Sequence, residues 1–364
     1  MLYDRKTLCI AGMLGLLTLY GCASAKPDSA SHADMAVTTT TEASIHHSAV
    51  MSESEFSSES DIPQHPQVTP SINLNRSNLA NGGYVVETDT VRYYIDQDAL
   101  HRMSRTDPDA DASVLLYLPG IAQLNLYDDS TLFCTAATGI YRIDTNTGDT
   151  KLLRPLTLHT GVWLSLILAK DTAYYTDGVT LWQSDLTFTA PSVCYRAEDG
   201  VIIDQLVWAE DRLCFSQYTQ NAAFDPENDR SGVYCYDGTA VQRSYQGSVQ
   251  ALAVMDGQLY FCDTKQKAVM RMMADGSGQS AVYQGSYGFL CPSPFGFLAM
   301  NDAMQLVTLT NTDSAISFAE GYCPNLTADT LYYLHTETGM LCTMALSEIE
   351  AAAAQSTIPP PQHP

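Results

Sequence analysis

Seven short aromatic runs recur along this chain at nearly constant spacing, and that periodicity limits the fold more than any other feature. They are VRYYID from Val91, TLFCTA from Thr131, TAYYTD from Thr172, RLCFSQ from Arg212, QLYFCD from Gln258, FGFLAM from Phe295 and TLYYLH from Thr330. Successive starts lie 40, 41, 40, 46, 37 and 35 residues apart, the spacing of β-propeller blades. The third and fourth columns of this alignment are bulky or apolar in every copy. Neighbouring residues of a strand point to opposite faces, so two adjacent apolar columns require burial on both faces. A propeller blade meets that requirement because each sheet lies between two others.

A second strand is predicted after each run: LHRMS at Leu100, IYRID at Ile140, LWQSD at Leu181, VYCYD at Val233, VMRMM at Val269, LVTLT at Leu306 and LCTMA at Leu341. Hairpin signals follow, including Asn146-Thr147-Gly148, Asp237-Gly238 and Asp275-Gly276. A third strand appears in SVLLYLPG (Ser113 to Gly120) and SAVYQG (Ser280 to Gly285), and an inner strand in QALAVM (Gln250 to Met255). Four strands per unit and seven units predict an all-β propeller of seven four-stranded blades, with six as the alternative. The last unit lacks an outer strand of its own. QVTPSINLN, Gln67 to Asn75, is expected to supply it and so close the ring without an exposed edge.

The N-terminal segment reads as an export signal. Arg5 and Lys6 form a basic start, and the apolar stretch from Leu8 to Tyr20 is too short to span a bilayer as a mature helix. It ends in Leu19-Tyr20-Gly21-Cys22, which resembles the lipobox of bacterial lipoproteins. That resemblance implies a diacylglycerol on Cys22, which then becomes the mature N-terminus, although Tyr20 departs from the usual small residue. The alternative is an ordinary secretory signal that contains a cysteine. Residues 22–70 are rich in Ser, Thr, His, Pro and acids and offer too little apolar surface to offset the entropy of ordering, so they are expected to form a flexible tether. The resulting organisation is a signal peptide at 1–21, the tether at 22–70, the propeller at 71–350, and a short helix with a Pro-rich tail at 351–364.

Tyr174-Tyr175-Thr176-Asp177 and Tyr260-Phe261-Cys262-Asp263 resemble the YWTD propellers of lipoprotein receptors. Arg142, Arg271 and the Asp275-Gly276 turn fit the same repeat. Asn78-Leu79-Ala80-Asn81-Gly82-Gly83, together with the leader, resembles more closely an uncharacterised family of bacterial surface proteins, a domain of unknown function related to those receptor propellers. The likeness covers roughly residues 72 to 349. YWTD propellers have six blades, which keeps six open beside seven. The resemblance implies binding rather than catalysis and names no ligand.

A formal charge of −23 argues against a nucleic-acid partner, whose phosphates this surface would repel. No cofactor is expected. His32, His46, His47 and His65 have no ligand spacing and read as solvated tail residues. Asp107, Asp109 and Asp111 resemble the start of a calcium loop. Ala112 replaces the required glycine and Leu118 the bidentate glutamate, so they read as a solvated turn. Of the eight cysteines after Cys22, most are expected to be free and buried, with Cys214 and Cys235 the best-placed pair for a disulfide. Trp163, Trp182 and Trp208 are expected to pack between blades rather than to stack on sugars.

The longest insertion, Gln217 to Gly232, carries Asp225, Glu227 and Asp229 as candidate ligand-face residues at the channel mouth, against the plainer reading of a tolerated loop extension. No nucleophile elbow, zinc-protease helix or phosphate loop is present. These features predict a lipid-anchored extracytoplasmic binding module for a surface protein, a peptide or a glycan. A hydrolase or lyase acting on cell-surface or environmental polysaccharide is the competing class, since carboxylate pairs are assembled by folds and not by sequence spacing.

Overall fold

The computed structural model describes residues 73–107, 110–156, 164–220, 222, 226–310 and 315–355. Cys22, Asp109, Trp163, Asp225 and the histidines at 32, 46, 47 and 65 lie outside these residues.

Antiparallel strands pair in chain order within six sheets. The first holds β1 (Val85–Glu87), β2 (Val91–Asp96), β3 (Ala99–Ser104) and β4 (Ser113–Tyr117). The second holds β5 (Ala122–Asp128), β6 (Thr131–Ala136), β7 (Gly139–Asp144) and β8 (Thr150–Pro155). In the third are β9 (Ser165–Ala169), β10 (Thr172–Thr176), β11 (Thr180–Asp185) and β12 (Ser192–Arg196). The fourth comprises β13 (Val201–Ala209), β14 (Arg212–Thr219), β15 (Gly232–Tyr236) and β16 (Val241–Gln246). The fifth comprises β17 (Val249–Met255), β18 (Gln258–Asp263), β19 (Ala268–Met272) and β20 (Ser280–Gln284). The sixth has six strands: β21 (Tyr287–Ser293), β22 (Gly296–Asn301), β23 (Gln305–Leu309), β24 (Ile316–Leu326), β25 (Thr330–His335) and β26 (Leu341–Ala345).

The chain is therefore an all-β propeller built on four-stranded blades, but with six sheets where seven separate ones were expected. The cause lies in β24, which is 11 residues long. Its first half pairs with β23 and its second half, from Gly321, pairs with β25. No turn separates the outer strand of one unit from the inner strand of the next, so the seventh aromatic run is carried within the sixth sheet.

The aromatic runs occupy the second strand of each unit, and their paired columns are buried as the pattern requires, except that Tyr94 of the first run is half-buried. Phe133, Cys134, Tyr174, Tyr175, Cys214, Phe215, Tyr260, Phe261, Phe297, Leu298, Tyr332 and Tyr333 are all buried. These side chains pack across blade boundaries, as Tyr260 does on Phe297 at 4.8 Å between ring centres. Each such burial stabilises the ring by about 1.5–3 kcal/mol.

Of the expected closing strand from Gln67 to Asn75, the described end is not a strand. Asn75 belongs to a short helix, α1 (Leu74–Ser77), and residues 67–72 lie outside the described set. Blade one instead meets the sixth sheet through side chains. Tyr94 packs on Tyr332 at 5.6 Å, and Arg92 bridges Glu87 (3.0 Å) and Asp329 (2.5 Å). After β26 the chain forms α2 (Leu346–Gln355), whose buried Leu346 and Ile349 lie on the side of the helix that packs against β24 and β26.

Candidate functional site: a plugged channel and its two rims

The inner strands β1, β5, β9, β13, β17, β21 and β24 are successive neighbours around the centre. A channel between them would be the ordinary place for a ligand. Here the chain fills it with its own residues. Asn73 caps α1 by accepting from the backbone N–H of Arg76 (3.1 Å), and a 3-10 turn, Asn78–Asn81, continues from it. That turn touches β5, β9, β13, β17, β21 and β24, and all four of its residues are buried. A segment can meet six inner strands at once only at the centre of the ring.

Buried backbone must be hydrogen-bonded, and amide side chains supply the partners. Asn78 Nδ2 donates to Val85 O and Leu326 O, while its Oδ1 accepts from Leu326 N (2.7 Å). Asn81 Nδ2 donates to Leu290 O, Gln123 Nε2 to Leu79 O and Gln205 Nε2 to Ala80 O. The strands are also joined to one another. Asn125 Nδ2 donates to Leu166 O and its Oδ1 accepts from Leu168 N, tying β5 to β9. Asn325 does the corresponding work at the ring joint: its Oδ1 accepts from Tyr84 N (2.7 Å) and its Nδ2 donates to Asn81 O (2.9 Å). Both asparagines also bond the carbonyl two residues back, which marks them as equivalent positions.

The motif ends in Gly82 and Gly83, with φ of 92° and 60°. A Cβ on Gly83 would lie 2.8 Å from the Gln123 Cα, so the turn from plug to β1 needs both the left-handed backbone and the missing side chain. The plug enters from the rim formed by the hairpins between first and second strands, here the lower rim. Asn75 bonds both backbone groups of Glu87 at the end of β1, and Arg76 Nη2 donates to Leu168 O near the end of β9.

Asp204 sits in the bulge of β13, where the register shifts between Ile203 and Leu206. Burial raises its carboxyl to about 6. Burial, with Asp204 nearby, lifts Tyr218 to about 12.

The upper rim holds the blade-to-blade connections and the insertion between β14 and β15. Asp229, expected as a ligand-face acid, is engaged within the fold: its Oδ1 accepts from Ser231 N (2.9 Å) and its Oδ2 pairs with Lys265 Nζ (3.3 Å). Burial opposes ionisation there, but these bonds hold its carboxyl below the usual range. Arg230 grips both carboxylate oxygens of Glu198 at 3.1 Å, and Glu198 lies in the connection between the third and fourth sheets. Glu227 is exposed in a 3-10 turn, Pro226–Asn228. Among the described residues no group of three or more His, Cys, Asp or Glu is placed to hold a metal ion.

The repeat's aspartates are structural. Asp177 Oδ1 accepts from Val179 N and Thr180 N, and Asp263 Oδ1 from Lys265 N and Gln266 N, so the YWTD-like aspartate closes the turn after the aromatic strand. Cys214 and Cys235, register partners on β14 and β15, are bonded to each other; Cys134, Cys194, Cys262, Cys291, Cys323 and Cys342 are free thiols. Trp182 donates to Asp177 Oδ2 and lies under Arg154, a packing role.

No family model and no curated protein matches the chain. Solved structures match it by fold. The tricorn protease is 10% identical, with 74% of this chain and 34% of that one covered and a TM-score of 0.52. The extracellular domain of a B. thetaiotaomicron protein described as a one-component system is 12% identical, covering 72% and 38%, also at 0.52. A chain of the nidogen/laminin complex is 13% identical, covering 63% and 89%, at 0.42. The chain spans about a third of the length of the first two. At such identities the first two likenesses establish the β-propeller fold and nothing finer.

Proposed function

We propose that this chain is a lipid-anchored, extracytoplasmic propeller that acts as a binding module for a surface protein, a peptide or a glycan, with lipid on Cys22. The observation that carries this reading is the plug: Asn78–Asn81 takes the central position that a small substrate would need and leaves the rims as recognition surfaces. On the upper rim the pins at Asp229 and Arg230 fix the end of the insertion, which presents Glu227, with Asp225 in the same segment. A partner would meet a rigid frame carrying one polar loop.

Two measurements test it. Labelled palmitate should enter the wild-type protein and not Cys22→Ala; an unlabelled wild type removes the anchor. Crosslinking in the native envelope should give a discrete partner whose yield falls in Arg230→Ala/Lys265→Ala, which frees the insertion without touching the core. Equal yield in that variant removes the insertion from the binding face.

A further inference from the structure

The lower rim carries a cleft of about 220 Å³ between the plug and the ends of β13 and β17. Arg76 and Ser77 form one wall, Val207 and Trp208 a second, and Glu210 and Asp256 stand on the adjoining hairpins. Its size lies below the roughly 300 Å³ at which drug-sized pockets begin, so it suits a small ligand.

The chemistry of the walls is specific. The Arg76 guanidinium is half-buried and donates Nη2 to Leu168 O at 3.1 Å. Among the described residues it has no carboxylate within ion-pair distance, unlike Arg92, Arg105 and Arg230, each of which is paired. Burial without a counter-charge lowers its proton affinity. A planar fork with unused donors in a cleft is suited to a carboxylate, which it can hold through two parallel bonds.

The cleft is also lined by acids, with Glu210 and Asp256 exposed. Trp208, partly exposed and packed on Tyr174 at 5.7 Å, adds an indole to the lining. The net charge of −23 disfavours a purely anionic ligand, whereas a zwitterion crosses that field at no electrostatic cost.

We propose that this lower-rim cleft binds a free α-amino acid, with its carboxylate on Arg76, its ammonium toward Glu210 and its side chain along Trp208. The inference goes beyond the proposed function and does not depend on the lipid anchor or the upper rim.

The test is calorimetric titration of the full chain with a panel of free L-amino acids, each compared with its N-acetyl and carboxamide derivatives. Saturable binding of at least one free amino acid is expected, weakened about tenfold or more by either derivative. Arg76→Gln should lose the preference for acid over amide, and exposed Glu210→Gln the preference for free over acetylated amine. Because Glu210 is on a surface hairpin, its variant keeps the test meaningful even if Arg76→Gln fails to fold. Absence of saturable binding across the panel would overturn the proposal, as would binding whose selectivity neither substitution alters.

Discussion

Replacing Asn325 by leucine removes the side chain that joins the two ends of the ring, and the structure sets the size of the effect. Asn325 is fully buried and has a shape close to leucine, so the substitution deletes hydrogen bonds with little change in volume. It strands the Tyr84 N–H, held at 2.7 Å, and the Asn81 carbonyl, held at 2.9 Å, both in the interior. Each orphaned buried group costs about 1–3 kcal/mol, giving about 2–6 kcal/mol for the pair. Asn125→Leu is the matched control. It loses the corresponding bonds to Leu166 and Leu168, but between strands 40 or so residues apart rather than across the chain's 241-residue closure. Urea unfolding followed by tryptophan fluorescence should show a lowered midpoint for both variants. Hydrogen exchange should accelerate in Leu79–Val86 for Asn325→Leu alone, because only that variant removes bonds to Asn81 and Tyr84, although Asn78 still holds Leu326. A loss below about 1 kcal/mol, or unchanged exchange in the plug, would refute the idea that amide bonds from the plug close the ring.

The other expectations concern single groups. Burial raises Asp204 to about 6, so the folded state holds its proton more tightly than the unfolded chain does. That contribution is fully present below the unfolded value near 4 and is lost as pH rises through 6. Asp204→Asn should therefore flatten the stability profile over that window and raise stability at pH 7 by about 3 kcal/mol, read from urea midpoints at several pH values; an unchanged profile refutes it. Arg92→Met removes the bridge from Glu87 to Asp329, but Glu87 keeps Arg105 at 3.2 Å, so the variant should cost about 1–3 kcal/mol by thermal or urea unfolding, and no loss would refute the bridge's part in the joint. Gly83→Ala forces φ of 60° on an L side chain against the Gln123 backbone and should cost at least about 2 kcal/mol, whereas alanine at Gly200, with φ of 78° but open space around it, should cost less.

The blades were legible because their cause is local. Tyr174-Tyr175 or Tyr260-Phe261 can be buried on both faces only inside a stack of sheets, and that demand is written in adjacent letters. The number of sheets was less legible. The sixth and seventh runs start 35 residues apart, the shortest interval, and Gly321 and Pro324 look like breakers where β24 in fact runs through. The plug was hidden for a different reason. Asn78-Leu79-Ala80-Asn81 is polar enough to read as loop, and its partners Leu290, Asn325 and Leu326 lie over 200 residues away. Two asparagines, Asn78 and Asn81, just ahead of two glycines were the available signal. In the insertion, sequence showed acids but not that Asp229 is already held by Ser231 and Lys265. Spacing reveals which charges exist, not which are spent on the fold.

The plug also decides where recognition can occur. An open propeller channel keeps its inner-strand polar groups for ligands, and its strands must then find other bonds at the centre. Here Gln123, Gln205 and Asn325 are directed inward, and the bonds they would offer a substrate are taken by Leu79, Ala80 and Asn81. A ligand entering the centre would have to displace four buried residues and re-satisfy every one of those amides. The Asn81 Oδ1 left without a partner is buried within the plug, whereas Arg76 below and Glu227 above lie at the edges, where a ligand can reach them. In the proposed reading, stability and recognition are thus separated in space: the centre is spent on closing the ring, and binding is left to rims that can vary without opening it.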